Sequence, residues 1–263
     1  MNTLTYAMTD SATMLRRQLR HMRRYPSMTL LLLGTPVVLL LLFVYVFGGT
    51  LGAGLDGLSG GRAEYVDYVT PGIILLAVAS VAQGTAIAVA MDMTEGIIAR
   101  FRTMAISRAS VLTGHVLGSM IQTMLALAVV IGVALLIGFR PTASPVEWIA
   151  AFGVLAMISL ALTWLSVALG MVTKSVESAS NLPMPLMLLP FFGSGFVPTD
   201  SMPGALRWFA ENQPFTPVME TVRGLLLGTP IGDSAALAVA WCAGIALVGY
   251  LWARALFDRD PTP

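Results

Sequence analysis

Two histidines, one cysteine and one Gly-Ser-Gly triplet are the residues of this chain whose chemistry could support catalysis. His21 and His115 are too few to hold a metal ion by themselves, and Cys242 has no second cysteine to pair with. Ser194, between Gly193 and Gly195, would need a base to act as a nucleophile, and no histidine follows His115. Small residues in an apolar segment more often allow helices to approach closely. The sequence therefore predicts neither a catalytic site nor a metal site.

Groups that could drive transport are also missing from the apolar segments. The six long apolar segments contain no Asp, Glu, Lys or Arg, whereas transporters driven by protons or sodium ions generally use such groups at membrane depth. Lys174, the only lysine, follows Thr173 and therefore cannot complete the phosphate-binding sequence GxxxxGK[ST]. We expect no cofactor on this chain, and the charge-free segments argue against an ion-driven antiporter. Any transport must take its energy from a partner protein.

Composition and segment length place the chain in a membrane. It has 263 residues, of which 56% are hydrophobic and 11% charged, against about 25% charged in soluble domains. A spanning helix needs about 20 mostly apolar residues. We predict an all-α integral membrane protein with six transmembrane helices, at residues 29–47, 71–91, 116–139, 148–172, 182–197 and 234–252. Pro183, Pro185 and Pro190 should bend or break the fifth.

The positions of the basic residues predict the orientation. The chain divides into a cytoplasmic amphipathic helix at 1–28, a six-helix membrane domain at 29–256 and a cytoplasmic tail at 257–263. Basic residues stay in the cytoplasm, and most of them lie on one side of the predicted spans: Arg16, Arg17, Arg20, Arg23, Arg24, Arg100, Arg102, Arg108, Lys174, Arg254 and Arg259. Both termini of this multi-pass cell-membrane protein are therefore expected inside. The net charge of +1 gives no indication of nucleic acid binding.

The segment from Met8 to Arg24 predicts an amphipathic helix. Its apolar residues recur every three or four positions, and its arginines cover the remaining face. A basic amphipathic helix that precedes a span usually lies along the inner leaflet, where it binds anionic lipids. The alternative is a lever that joins a cytoplasmic partner to the first span. Pro26 should separate this helix from that span.

The loop between the second and third spans, DMTEGIIARFRTMAISRAS from Asp92, is too polar to cross a membrane. In a short helix its apolar residues would form one stripe, consisting of Ile97, Ile98, Phe101 and Met104. An apolar stripe of this kind suits docking into a groove of a cytoplasmic protein. A solvated loop at the membrane surface accounts for the same residues equally well.

Residues 198–233, on the opposite side, predict two short helices rather than a loose connection. Pro203-Gly204 should begin the first, and Gly228 and Pro230 should end the second. Because helices satisfy their own backbone groups, such a pair could re-enter the outer leaflet.

Two segments resemble a known family. The run EGIIARFRTMAISR from Glu95, and the run FVPTDSMPGALRWFAENQPFTPVMETVRGLLLG from Phe196, are similar to the permease subunits of ATP-binding-cassette (ABC) exporters of the second type. Within that family they most resemble the daunorubicin-resistance permeases of actinobacteria. The resemblance covers essentially the whole chain, including its length and number of spans.

The resemblance implies a function and a set of partners. The helix that docks on a separate ATPase, the coupling helix, would include Glu95, Gly96, Ile97, Ile98, Arg100, Phe101, Arg102 and Thr103. The interfacial helix, with Arg16, Arg17, Arg20, Arg23 and Arg24, would brace against that ATPase. Two ATPase subunits, which bind ATP and Mg²⁺, would pair with two permeases, identical or related, to export a hydrophobic or amphiphilic antibiotic or lipid. No residue is assigned to substrate binding. The alternative function is a non-transporting membrane anchor or sensor subunit for a cytoplasmic protein.

Overall fold

Helices make up the regular structure of this chain. The computed structural model describes residues 3–24, 26–50, 61–97, 108–173 and 175–258, and within those ranges it contains no strand. The helices are α1 (Thr3–Arg24), α2 (Pro26–Leu42), α3 (Arg62–Thr94), α4 (Arg108–Ile137), α5 (Pro145–Val172), α6 (Val176–Asn181), α7 (Met184–Leu188), α8 (Gly204–Asn212), α9 (Phe215–Leu227) and α10 (Ser234–Asp258). A π-helical turn at Phe43–Phe47 extends α2, and 3₁₀ turns lie at Leu189–Phe192 and Thr199–Ser201.

Five of these described helical segments are long and apolar enough to cross a membrane. They are Pro26–Thr50, Arg62–Thr94, Leu112–Ile137, Pro145–Val172 and Ser234–Phe257. They contain the first four predicted spans almost completely, and they contain the last one.

The predicted fifth span, at 182–197, is not one continuous helix. It consists of α7, the 3₁₀ turn that follows it and irregular turns up to Val197. Proline lacks an amide hydrogen, and its ring clashes with the preceding helical turn. Pro183, Pro185 and Pro190 therefore prevent a regular helix. The expected break is present, but a sixth span is not confirmed.

Helix α3 forms the centre of the bundle. Of its most apolar stretch 83% is buried, against 17% for α2 and for α10. It contacts α2, α4, α5 and α9, and apolar side chains on all its faces, from Val69 to Ala82, are buried among them. A displacement of α3 must therefore disturb most of the bundle.

Glycines let neighbouring spans approach until their backbones touch. A Cβ atom built on Gly170 of α5 would lie 2.5 Å from the carbonyl oxygen of Ala86 in α3. A Cβ atom on Gly249 of α10 would lie 2.6 Å from the backbone nitrogen of Leu165 in α5. Helices in lipid gain most of their affinity from such close contact, since lipid chains are as apolar as the side chains.

We expect Gly249→Ala to destabilise the contact between α10 and α5. The added methyl group meets backbone atoms that cannot rotate away, and overpacking of this kind costs about 1–3 kcal/mol. Gly244→Ala is the matched control, because a Cβ atom at Gly244 meets nothing within 4 Å. Thermal unfolding of the purified protein in lipid nanodiscs should give a lower Tm for Gly249→Ala alone. Equal Tm values for the two variants would contradict the packing described.

Candidate functional site

Helix α1 lies directly against the start of α4. A Cβ atom built on Gly114 would lie 2.5 Å from Cβ of Met14, and one on Gly118 would lie 2.5 Å from Cγ of Gln18. The two glycines are four residues apart, so they lie on one face of α4 and form a shallow track for α1. Met14 is buried in this contact. Helix α1 is therefore part of the folded bundle.

One ionic cluster joins α1, α3 and α4, and we call the end of the bundle where it lies the basic end. Arg17 of α1 donates two hydrogen bonds to Asp92 of α3, from Nη2 to Oδ1 at 2.6 Å and from Nη1 to Oδ2 at 2.9 Å. His115 of α4 places its Nε2 3.1 Å from Oδ2 of the same carboxylate. Both terminal nitrogens of the planar guanidinium bind the carboxylate, and this bidentate geometry fixes the orientation of the two side chains.

The members of this cluster differ in their exposure. The side chain of His115 is 3% exposed and that of Asp92 is 11% exposed, whereas the side chain of Arg17 is 34% exposed. A carboxylate this deeply buried must be paired, because an isolated charge away from water is very costly. Removal of one partner would leave the carboxylate with a single hydrogen-bond partner inside the protein.

A cavity of about 310 Å³ adjoins the cluster. Its walls come from α1, α2, α3, α4 and the turn after α3, and they include Arg17, Met28, Asp92, Glu95 and His115. The guanidinium of Arg17 therefore has open space beside it as well as the buried carboxylate in front of it.

Helix α3 ends at Thr94, two residues beyond Asp92. Its last turn closes when the Glu95 amide donates to the carbonyl of Met91 at 2.9 Å, and Gly96 then adopts a φ of +69°. Glycine is the residue that takes this left-handed conformation without strain. Glu95 is exposed, and it leads into the segment for which the sequence predicts the coupling helix.

The structure describes only part of the predicted coupling helix. Glu95, Gly96 and Ile97 form the end of α3 and the turn that follows it. The other predicted members, Ile98, Arg100, Phe101, Arg102 and Thr103, lie outside the described residues. Docking of this segment therefore stays a prediction.

The arginines of α1 do not all share one environment. Arg16, Arg20 and Arg24 are exposed. Arg17 instead points to Asp92, while the side chain of Arg23 lies outside the described residues. Asp92 belongs to the predicted polar loop, because the predicted span ends at Met91. Helix α3 in fact continues to Thr94. The sequence feature that could have predicted the contact is an acidic residue just past a span in a chain that also has an arginine-rich helix.

Polar contacts inside the bundle use hydroxyl groups. Thr85 of α3 donates to Ser119 of α4 at 2.7 Å, and Ser119 lies 3.2 Å from the hydroxyl oxygen of Thr163 in α5. All three side chains are buried. Hydroxyl pairs of this kind hold membrane helices together without a charge.

A second ionic cluster lies at the opposite end of the bundle, which we call the cap end. Arg223 of α9 is buried, and it donates from Nη1 to Glu220 at 2.7 Å and from Nη2 to the carbonyl oxygen of Ser194 at 2.7 Å. Its guanidinium also lies 4.4 Å from the ring centre of Tyr68, whose hydroxyl donates to the same carbonyl oxygen at 2.9 Å. Arg223 therefore fastens α9 and the Ser194 turn to α3.

The Gly-Ser-Gly triplet takes part in this packing. A Cβ atom on Gly72 of α3 would lie 2.8 Å from the carbonyl oxygen of Gly195. The Ser194 hydroxyl is buried and has no hydrogen-bond partner among the described residues. Its backbone carbonyl oxygen, by contrast, accepts hydrogen bonds from Tyr68 and Arg223. The arrangement agrees with close helix contact as the role of the triplet.

Helices α8 and α9 occupy the region where two short helices are predicted. Gly228 ends α9 with a φ of +73°, as expected. Arg207 on α8 is exposed and contacts Glu211 at 2.8 Å and Asp200 at 2.6 Å. The hydrogen bond that Arg207 donates to Glu211, followed by the charge of Asp200, raises the pKa of the Arg207 guanidinium. Whether α8 and α9 re-enter a membrane stays a prediction.

Known proteins match most of this chain. The profile of the family described as ABC-2 type transporter matches residues 10–227. The daunorubicin resistance ABC transporter permease protein DrrB1 of Streptomyces coeruleorubidus is 27% identical over 244 residues, which cover 92% of this chain and 83% of that protein. The probable doxorubicin resistance ABC transporter permease protein DrrC of Mycobacterium tuberculosis is 25% identical over 153 residues, 58% of this chain and 55% of that protein.

We expect Arg223→Met to destabilise the cap end strongly. It removes the donor to the Glu220 carboxylate and one of the two donors to the Ser194 carbonyl, and a hydrogen bond to a charged group contributes about 1.5–3 kcal/mol. Arg207→Met is the control, because its ion pairs are exposed and pairs of this kind contribute little. Thermal unfolding and limited proteolysis should separate the two variants. A wild-type Tm for Arg223→Met would show that this cluster does not hold the cap end.

Proposed function

Because the chain belongs to the ABC-2 type transporter family, we propose that it is the permease subunit of an ATP-driven exporter. In this proposal two permease subunits, identical or related, assemble with two ATPase subunits that bind ATP and Mg²⁺. The exporter moves a hydrophobic or amphiphilic compound out of the cell. The permease forms the path across the membrane, and the ATPase partner carries out the chemistry.

The observation that supports this proposal most directly is that α1 and the start of the predicted coupling segment lie together at the basic end. Helix α1 presents the exposed Arg16, Arg20 and Arg24 there, and α3 ends there in the Glu95–Gly96 turn. The contact between Arg17 and Asp92 places the two segments side by side. One cytoplasmic partner can therefore touch both.

The basic end faces the cytoplasm in this proposal. Arginine-rich segments stay on the cytoplasmic side of the cell membrane, and α1 carries five arginines between Arg16 and Arg24. With this orientation α8 and α9 lie on the outer side, and both termini are inside. Anionic lipid head groups of the inner leaflet can pair with those arginines of α1 that the partner leaves free.

Energy enters at the basic end and reaches the bundle through α3. Closure of the ATPase pair around ATP moves the segment that starts at Glu95, and this segment continues directly from α3. Since α3 contacts most other spans, its displacement shifts the permease between inward-open and outward-open states. The substrate crosses between the two permease subunits.

A hydrophobic or amphiphilic substrate agrees with the character of the bundle. Away from the two ionic clusters, the described polar side chains inside the bundle include hydroxyl groups such as Thr85 and Ser119 and the amide of Gln83. Apolar and neutral walls accept compounds of varied shape. The relatives are named for resistance to daunorubicin and doxorubicin, which makes these two drugs the first compounds to test.

Substitution of Gly96 should uncouple the permease from its ATPase. A β-branched residue at a φ of +69° is strained, so Gly96→Val should misdirect the segment that follows α3. We expect drug-stimulated ATP hydrolysis of the reconstituted complex to fall by about fivefold or more, with the permease still folded. Gly153→Val is the control, because Gly153 is exposed in α5 and a Cβ atom there meets nothing within 4 Å.

The outcomes of this experiment separate the candidate functions. The permease alone should hydrolyse no ATP. Retained stimulation in Gly96→Val and in Glu95→Gln would contradict the coupling assignment. Binding of an ATPase without any ATP-dependent flux would favour the anchor or sensor subunit instead.

Single cysteines should establish the orientation. In a Cys242→Ser background, Asp10→Cys on α1 and Asp233→Cys before α10 lie at the basic end and the cap end. A membrane-impermeant maleimide applied to intact cells should label position 233 but label position 10 only after lysis. The reverse result would overturn the assignment of both termini to the cytoplasm.

A further inference from the structure

We propose that Asp92 is the positioning residue of a joint that transmits movement from the ATPase-facing segments to the spans. The joint has two arms: one joins Asp92 to Arg17, and it opens and closes during transport. The other joins Asp92 to His115, and it stays closed. This inference rests on the proposed function, but its test can fail while that function stands.

The two arms differ in how easily water can replace the contact. Arg17 is 34% exposed and borders the 310 Å³ cavity, so its guanidinium can leave the carboxylate and be hydrated there. His115 is 3% exposed, and its separation from Asp92 would leave a dry carboxylate behind. The Arg17 arm is therefore the releasable one.

Helix α1 reaches α3 through side chains. Its backbone runs along α4 and the start of α2 rather than along α3, and the pair Arg17–Asp92 bridges the remaining distance. Such a bridge can open without disrupting a helix–helix interface.

The contact between α1 and α4 permits small shifts. At Gly114 and Gly118, α4 presents no side chain that could interlock with α1. Met14 and Gln18 rest on this smooth track. The bidentate ion pair, by contrast, holds only one position and one direction. Arg17 therefore sets the position of α1 relative to α3, and the track lets that position change.

The place of Asp92 in the chain suits a transmitting role. It precedes Glu95 by three residues, which is about one helical turn, so a pull on the Glu95 turn reaches Asp92 through continuous helix. Through the two arms the same residue touches α1 and α4. When α1 or the Glu95 turn moves, α3 and α4 therefore move together.

The test measures transport per ATP hydrolysed, with the permease and its ATPase in inside-out vesicles and doxorubicin as the probe. Arg17→Gln and Asp92→Asn should each lower this ratio by about fivefold or more. Arg17→Lys keeps a charged donor opposite Asp92 and leaves the His115 arm in place, so it should lower the ratio clearly less than Arg17→Gln does. Arg207→Gln, which breaks an exposed Arg–Asp pair of the same 2.6 Å length, is the control.

A tether tests the opening of the Arg17 arm directly. Gln18 and Ala88 line the same cavity from α1 and α3, and cysteines at these positions in a Cys242→Ser background leave Arg17 and Asp92 intact. A short disulfide-containing cross-linker between them should lower transport by about tenfold, and its reduction should restore transport. This variant keeps the experiment decisive if Asp92→Asn does not fold.

The results distinguish the joint from the proposed function. Absence of ATP-dependent doxorubicin uptake by the wild-type complex would contradict the proposed function. Normal uptake together with an unchanged ratio in Arg17→Gln and Asp92→Asn, or full transport by the tethered complex, would overturn the joint alone. A lowered ratio that follows the loss of Tm, with Arg17→Lys no better than Arg17→Gln, would assign Asp92 a purely structural role and likewise overturn it.

Discussion

The requirement to pair one buried carboxylate organises the basic end of this molecule. Asp92 is withdrawn from water on a central helix, and only partners held within hydrogen-bond distance make that placement tolerable. Arg17 and His115 meet this requirement from two different helices. The pairing therefore brings α1 onto the bundle and holds the ends of α3 and α4 together. Helix α1 can then pack on Gly114 and Gly118 of α4.

The two ends of α3 are fastened by ionic clusters, and its middle is held by neutral contacts. Arg223 binds the cap end to α3, as Arg17 does at the basic end. Between them lie hydroxyl pairs such as Thr85–Ser119 and backbone contacts at glycines such as Gly170. This division follows from the solvent, because charges are costly in the hydrocarbon core and less costly near the head groups. The middle of the bundle can consequently rearrange without separating charges.

This distribution agrees with the proposed function, in which a partner ATPase supplies the energy. In the described spans, Asp, Glu, Lys and Arg lie near the ends, so the middle offers no charged side chain on which an ion gradient could act. In the proposed function, work is therefore applied at an end, where polar segments meet the cytoplasm. The basic end offers two such segments, α1 and the Glu95 turn, and both continue into elements that contact α3 or α4.

The sequence by itself determined the all-helical class, the five apolar segments that form long helices, the break imposed by Pro183, Pro185 and Pro190, and the end of α9 at Gly228. These features depend on local composition and backbone preference, which adjacent residues carry. Only the tertiary structure decided that Arg17 leaves the basic face for Asp92, that Arg223 is buried, and that Gly114 and Gly118 receive α1. Each of these contacts joins residues far apart in the chain. Packing decides which face of a helix meets which neighbour. In helices that are apolar on every side, hydrophobic periodicity does not indicate that face.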